Sequence, residues 1–300
     1  MRQRILITGC KGFLGRSFLR SFHPGSAEVV ALEHAGCADC AGIDLTDRDG
    51  VRAVLRELRP SHILNFASRG VTRDASTLAD LLAVNTLGAL HLVEGLIAEG
   101  LTAHTICFGT AYEYADTARP LNEAAPLAPQ SPYAISKTTL SYALQQYAGA
   151  APLTLLRLFN VFGMGEPAER LIPFIASKAR TNEPIPLTGG EQLRDFMFVN
   201  DLVAILSRLL ALPDWERPGL RTLNVGTGQG ISLKDFIGHV AIALRARGLM
   251  PRLAFGDLPY RAQDPMRCVA DNTALLTLLG GFSFTDLQTA VNCTVASLDI

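Results

Sequence analysis

Five short apolar runs, separated by four stretches with helical spacing, occupy residues 4–163. The runs are "RILITG" (4–9), "EVVALE" (28–33), "HILNFAS" (62–68), "AHTICFGT" (103–110) and "LTLLRLFNVFG" (153–163). Between them lie "LGRSFLRSF", "RDGVRAVLRELR", "LADLLAVNTLGALHLVEGLIAEG" and "AISKTTLSYALQQYAG", whose apolar residues recur at helical intervals. Near-continuous apolar strands alternating with amphipathic helices require an α/β fold: a parallel sheet covered by helices on both faces. The crossovers of such a sheet are right-handed.

The second half is less regular. "LIPFIASKART" reads as a helix, "FMFVNDLVAILSRLLAL" as a strand entering a helix, and "TLNVG" as a short strand. "SLKDFIGHVAIALRARG" is helical again with Ser232 as its cap, and "NTALLTLLG" follows a loop-rich stretch after Pro251. These segments describe a smaller region built from interleaved pieces. The expected division is 1–165 for the sheet domain and 166–300 for the smaller region, with segments around 196–226 returning to the first.

A length of 300 residues, 48% apolar and 18% charged, supports a substantial core. The net charge of −1 supplies no basic surplus for a nucleic-acid backbone and no cationic membrane anchor. The apolar run in "MRQRILITGC" meets Gly9 and Lys11 too early for a signal segment or a bilayer span, so a cytoplasmic protein is expected. Among the six cysteines, Cys37 and Cys40 form "CADC" three residues after His34. Without a fourth ligand or a second CxxC this reads as a polar loop, and no metal is expected.

"TGCKGFLG" places Gly9, Gly12 and Gly15 between the first strand and the first helix, with Phe13 and Leu14 opening that helix. Glycines here permit a tight turn and a close approach of backbone to a pyrophosphate at the helix N-terminus. Lys11 falls inside the glycine pattern with no GK[ST] after it, which excludes a kinase-type phosphate loop. Glu33 ends the second strand eighteen residues beyond Gly15. A carboxylate there accepts both ribose hydroxyls of NAD and repels the extra phosphate of NADP. The lean is to NAD, with NADP as the alternative. Asp44 and Leu45 in "IDLTD", and Phe66, Ala67 and Ser68 in "NFAS", fall near the same crevice at the strands' carboxyl ends. Tyr133 and Lys137, four apart in "SPYAISKTTL", share one helix face.

In the order and spacing of "TGCKGFLG", "DLTD", "NFAS", "LLAVNTLGALHLVEG", "FGTAYEY", "YAISK", "LRLFNVFG", "RDFMFVNDLV" and "LNVGTG", the chain resembles the extended short-chain dehydrogenase/reductases, NAD-dependent epimerase/dehydratase branch. The resemblance implies a Rossmann-like doubly wound sheet with a C-terminal substrate-binding region. It also implies a proton-exchanging Tyr133, a Lys137 that holds the nicotinamide ribose and lowers the tyrosine pKa, and a Thr110 hydroxyl on the reacting oxygen. The physics agrees, since a free tyrosine near pKa ~10 is a poor base at neutral pH and a nearby ammonium favours its phenolate. By the same resemblance Asn85 is a structural asparagine at the cofactor site. Asn160, Arg194 and Arg261 contact the diphosphate of a nucleoside-diphosphate sugar, and the protein is a homodimer paired through 78–99 and 133–148.

The chain departs from its relatives in two places. Gly109 stands where they often have a serine, and Tyr112-Glu113-Tyr114-Ala115 replaces the usual Val-Tyr-Gly ending. Ala111-Tyr112 stands where the sugar 4,6-dehydratases have an Asp-Glu pair, which argues against water elimination. On a continued strand Glu113 would face away from Tyr112, and it receives no role. The leading expectation is a 4-epimerase of a nucleotide sugar. A 4-ketoreductase using NAD(P)H, a reductase of a non-nucleotide carbonyl and a non-catalytic dinucleotide-binding regulator are the alternatives.

Overall fold

The computed structural model describes residues 3–34, 41–70, 76–213, 216–260 and 264–300. The "CADC" cysteines and Arg261 lie outside the described residues. The chain forms two compact units. One comprises Met1–Ala115, Ala125–Leu158 and Ala204–Leu223; the other comprises Asp116–Ala124, Phe159–Val203 and Asn224–Ile300.

The first unit begins β1 (Arg4–Thr8), α1 (Phe13–Ser21), β2 (Glu28–Glu33), β3 (Ala41–Gly42), α2 (Arg48–Leu58) and β4 (His62–Asn65). It continues with the helix α3 (Leu78–Ala98), then β5 (His104–Thr110), α4 (Pro132–Gln145) and β6 (Pro152–Leu158). The sheet order is Gly219–Val225, β6, β5, β4, β1, β2, β3, and β1 to β6 pair in parallel. The chain therefore runs from β1 outward through β2 and β3, then adds β4, β5 and β6 on the other side. That reversal between β1 and β4 opens a crevice at their carboxyl ends.

Every residue of β4 and β5 is buried, as expected of strands covered on both faces. Alternation along β5 sends Cys107 into a cluster with Val93 of α3 and Leu140 of α4. Phe108 points the other way and stacks on Phe66, with ring centroids 4.6 Å apart, and Phe66 in turn meets Phe18 of α1. Leu6, Val51, Leu55, Ile63, Leu92 and Leu96 fill the layer between the sheet and helices α2 and α3. Burial of each such side chain contributes about 1.5–3 kcal/mol.

Among the described residues α3 alone is long and apolar enough to cross a bilayer, and half of that stretch is buried in the fold. Its middle, Ala83–Gly88, is a π-helical turn. Gly88 lies against Leu45 there: a Cβ on Gly88 would sit 2.8 Å from that side chain.

The run 153–163, read as one strand, is divided. After Leu158 the chain makes one more bond to the main sheet, Phe159 N–H donating to the Val225 carbonyl of the edge strand, and then leaves it, with Asn160 N–H donating to the Asp195 carbonyl. Asn160–Phe162 then pairs in parallel with Phe196–Phe198. This second unit also pairs Pro184–Leu187 with Arg252–Phe255, and Leu193–Arg194 with both Ile231–Ser232 and Arg267–Cys268. Asp195 ties these pieces together. Fully buried, it accepts from Thr227 N and Oγ1, Gly228 N and Ala270 N at 2.7–3.2 Å. A final helix, Leu287–Ala296, is capped by Asp286, which accepts from Thr289 N.

Candidate active site

The glycine turn closes because no side chain stands in it. Gly9 has φ +67°, and a Cβ there would lie 2.5 Å from the Ala67 nitrogen. A Cβ on Gly15 would overlap the Gly9 carbonyl and sit 2.8 Å from Cys10 Cα. The turn is thus packed through Gly9 against the backbone of Phe66 and Ala67 that follows β4, while Gly15 packs on the Gly9 carbonyl and Cys10. Gly12 caps α1 with no side-chain hydrogen bond, leaving the first-turn N–H groups of that helix without a side-chain acceptor. A backbone cradle of this kind, at the switch point of a parallel sheet, suits a dinucleotide pyrophosphate.

Glu33, at the end of β2, turns back to this loop and accepts the Lys11 N–H at 2.7 Å. Asp44 accepts from Thr46 N and Oγ1 at 2.9 and 2.7 Å, and those bonds hold its carboxyl below the usual range. Leu45 is buried beneath α3, with its carbonyl 2.7 Å from His91 Nδ1. The π-turn of α3 carries Asn85, which is buried and joins three segments. Its Oδ1 accepts from Arg69 N–H and Ser68 Oγ, while its Nδ2 donates to the Arg69 carbonyl and to Ser136 Oγ at 2.9 Å. The loop after β4 is thereby fixed to α4 at Ser136, the neighbour of Lys137.

α4 starts at Ser131, whose Oγ accepts from Ala134 N–H, with Pro132 in the first turn. This start puts Tyr133 in the first turn and Lys137 one turn on. Lys137 is buried, with Nζ donating to the Phe108 carbonyl of β5 at 2.9 Å and lying 5.8 Å from the Tyr133 ring centre. Burial pushes its pKa down to about 8, against the opposing pull of Glu113. Cys107 itself is pushed up to about 12 by burial, so it is a neutral thiol near neutral pH.

Thr110 ends β5, almost wholly buried. The chain does not continue as a strand there. Ala111–Glu113 form a single 3₁₀ turn with Thr110 as its cap: Thr110 Oγ1 accepts from Tyr112 N–H and Glu113 Oε1 accepts from Thr110 N–H at 2.8 Å. Glu113 is buried while its neighbour Tyr112 is exposed, but this turn and not a continued strand sets its direction, folding the carboxylate back under Thr110. Glu113 is fully buried and paired with Arg157 of β6 at 3.0 Å. Sequence reading gave neither residue a role. The available signal was Arg157 itself, a charge in the apolar run "LTLLRLF", since a buried charge needs a partner.

In the second unit, Asn160 begins the strand Asn160–Phe162, and Arg194 is buried with its guanidinium on Asp264 Oδ1 at 2.7 Å and on the Leu193 carbonyl. Among the described residues no three His, Cys, Asp or Glu side chains are grouped to hold a metal ion.

The model of the NAD dependent epimerase/dehydratase family matches residues 5–226, the stretch that carries the sheet, the glycine turn, Thr110, Tyr133 and Lys137. The chain belongs to that family. GDP-6-deoxy-D-talose 4-dehydrogenase of Aggregatibacter actinomycetemcomitans is 26% identical over 291 residues, covering 95% of this chain and 94% of that one. UDP-glucose 4-epimerase of Corynebacterium glutamicum is 27% identical over 96% of this chain and 93% of its own. Among solved structures, the Thermus thermophilus UDP-glucose 4-epimerase complex with NAD superposes with a TM-score of 0.82 at 25% identity, over 98% of both chains. The Bordetella bronchiseptica enzyme WbmG, in complex with NAD and UDP, gives 0.83 at 25% identity, over 99% of this chain and 94% of that one. The family fold is a Rossmann-like doubly wound sheet with a smaller C-terminal region, and this family member has it.

Proposed function

We propose that this family member binds NAD and oxidises or reduces C4 of a nucleoside-diphosphate hexose, with 4-epimerisation as the leading reaction. The observation that carries the reading is the glycine turn closed on Ala67, with Glu33 held beside it and Lys137 buried one turn from Tyr133. Gly9, Gly12, Phe13, Leu14 and Gly15 hold the pyrophosphate, and Glu33 takes the adenosine ribose hydroxyls. Asp44, Leu45, Phe66, Ala67, Ser68 and Asn85 form or brace the remaining wall. When bound, NAD supplies the hydride acceptor and donor. Tyr133 exchanges the proton of the sugar hydroxyl, and the Lys137 ammonium favours its phenolate and holds the nicotinamide ribose. The Thr110 hydroxyl bonds the reacting oxygen as its charge changes. Asn160, Arg194 and Arg261 are assigned to the diphosphate.

The Corynebacterium relative supports the epimerase, and the Aggregatibacter relative, named for a 4-dehydrogenase, supports a second reading as a 4-ketoreductase. Glu33 favours NAD, and an epimerase that recycles its cofactor has no need of NADPH. A homodimer is proposed as well: Leu87 on α3 and Tyr142 on α4 are large apolar side chains left half exposed.

Denaturing the purified protein and identifying any released nucleotide by mass spectrometry tests the reading. Near-stoichiometric NAD is the expected result. An empty protein that takes up NADH or NADPH from solution favours the ketoreductase, and failure to bind either overturns the assignment.

A further inference from the structure

Behind Thr110 lies a buried charged cluster that the proposed reaction does not use. Glu113 and Arg157 side chains are 0% and 6% exposed, and their ion pair spans the 3₁₀ turn and β6 at 3.0 Å. Glu113 spends its lone pairs on three elements: Oε1 on Thr110 N–H, and Oε2 on Ser141 Oγ of α4 and Arg157 Nε. Ser141 in turn bonds the Lys137 carbonyl. Arg157 continues the cluster through Nη1 to the Tyr114 hydroxyl at 2.9 Å, with its guanidinium 4.7 Å from that ring's centre. Gly109 completes it. A Cβ there would collide with Glu113 Oε1 and lie 3.2 Å from Arg157 Cγ. The two departures noted in the sequence, Gly109 and Glu113, are therefore one feature: the carboxylate fills the space that a side chain at 109 would take.

An ion pair this deep needs a reason, because desolvating two charges offsets most of their attraction and an apolar pair of equal volume is often no less stable. We infer that Glu113 and Arg157 are positioning residues, a buried strut that fixes Thr110 on β5 and Lys137 on α4 in one frame. The inference rests on the proposed roles of Thr110 and Lys137. It uses the connectivity of the carboxylate, which touches the backbone of the first residue and the helix that carries the second. Glu113 also contributes a negative charge near Lys137, which the neutral Cys107 thiol and the Phe108 carbonyl of β5 and the Tyr133 ring of α4 do not supply.

Two variants test it. Glu113→Gln keeps an acceptor for Thr110 N–H and removes the charge; Glu113→Leu with Arg157→Met removes both charges at nearly constant volume, and guards against a fold lost to an unpaired Arg157. Turnover of the nucleotide sugar is measured together with the titration of Lys137, followed by NMR in protein carrying labelled lysine. Lysines occur only at 11, 137, 178 and 234, so the buried one is resolved by comparison with Lys137→Met. The expected result is a roughly tenfold fall in kcat with little change in the sugar KM, and a Lys137 titration moved to lower pH. Unchanged kcat with an unmoved Lys137, whatever happens to Tm, overturns the strut. If the wild-type protein turns over no nucleotide sugar, the functional reading fails on its own. The Lys137 titration then decides the strut: unmoved in both variants overturns it, and moved in both supports it.

Discussion

Lys137 Nζ donates to the Phe108 carbonyl across 2.9 Å, from a side chain with almost no contact with water. Burial holds its pKa at about 8. The ammonium proposed to favour the Tyr133 phenolate is therefore lost as the pH rises through about 8, and the proposed activity should show an alkaline limb there. Stability should not fall with it. The unfolded lysine titrates near ~10.4, so between about 8 and that value the unfolded chain holds the extra proton, and Lys137 makes stability rise with pH. A pH–rate profile beside denaturant melts separates the two effects.

Glu33 accepts the Lys11 N–H, and the proposed function gives it the adenosine ribose hydroxyls. Glu33→Ala should lower the preference for NAD over NADP by about tenfold or more, because it removes an acceptor for the hydroxyls and the repulsion of a 2′-phosphate. Fluorescence titration with each dinucleotide checks this. Equal loss of affinity for both would mean that Glu33 only braces the turn.

His62 and His104 sit in the core of neighbouring strands with ring centres 5.9 Å apart, each pushed down to about 4 by burial. They fold neutral. Below the ordinary histidine value of ~6.5 the unfolded chain takes up protons that the folded one refuses, so stability falls progressively from there towards pH 4. At the acid end each of the two should cost on the order of 3 kcal/mol. His104→Gln, which keeps a partner for Thr154 Oγ1, should reduce the slope of ΔG against pH in urea melts.

Asp195 offers Oδ1 to Thr227 N and Oγ1, and Oδ2 to Gly228 N and Ala270 N. Asp195→Asn must turn an NH₂ towards one pair of donors. The expected loss is about 3 kcal/mol, read as a lower urea midpoint. A loss under about 0.5 kcal/mol, the range of an ordinary surface substitution, would show that the site tolerates the mismatch.

Much of the first unit was legible because buried parallel strands appear as unbroken apolar runs, and the glycine triplet announces the turn between β1 and α1. "EVVALE" is β2 to the residue. The break at Phe159 was hidden because "LTLLRLFNVFG" is apolar on both sides of it, and only a tertiary partner, the Asp195 carbonyl, takes the backbone out of the sheet. The two-residue strands Leu193–Arg194, Ile231–Ser232 and Arg267–Cys268 are too short to show a period. The helix Leu287–Ala296 carries Gln288, Thr289, Asn292 and Thr294 among its apolar positions, which weakened its pattern. At the site, the family resemblance pointed to Thr110, Tyr133 and Lys137, and the four-residue spacing alone showed only that the last two share a helix face. Glu113 was out of reach because its direction depends on whether β5 continues or turns at Thr110.

Single-turnover transfer from a nucleoside-diphosphate hexose carrying deuterium at C4 tests the central claim most directly, with UDP-, GDP-, CDP- and dTDP-sugars tried in turn. The account requires the label to reach the nicotinamide in the wild-type protein, and Tyr133→Phe to slow that transfer roughly 10²–10⁴-fold with the dinucleotide still bound. Turnover of a sugar with the C4 label left in place, or transfer by Tyr133→Phe at the wild-type rate, would contradict it.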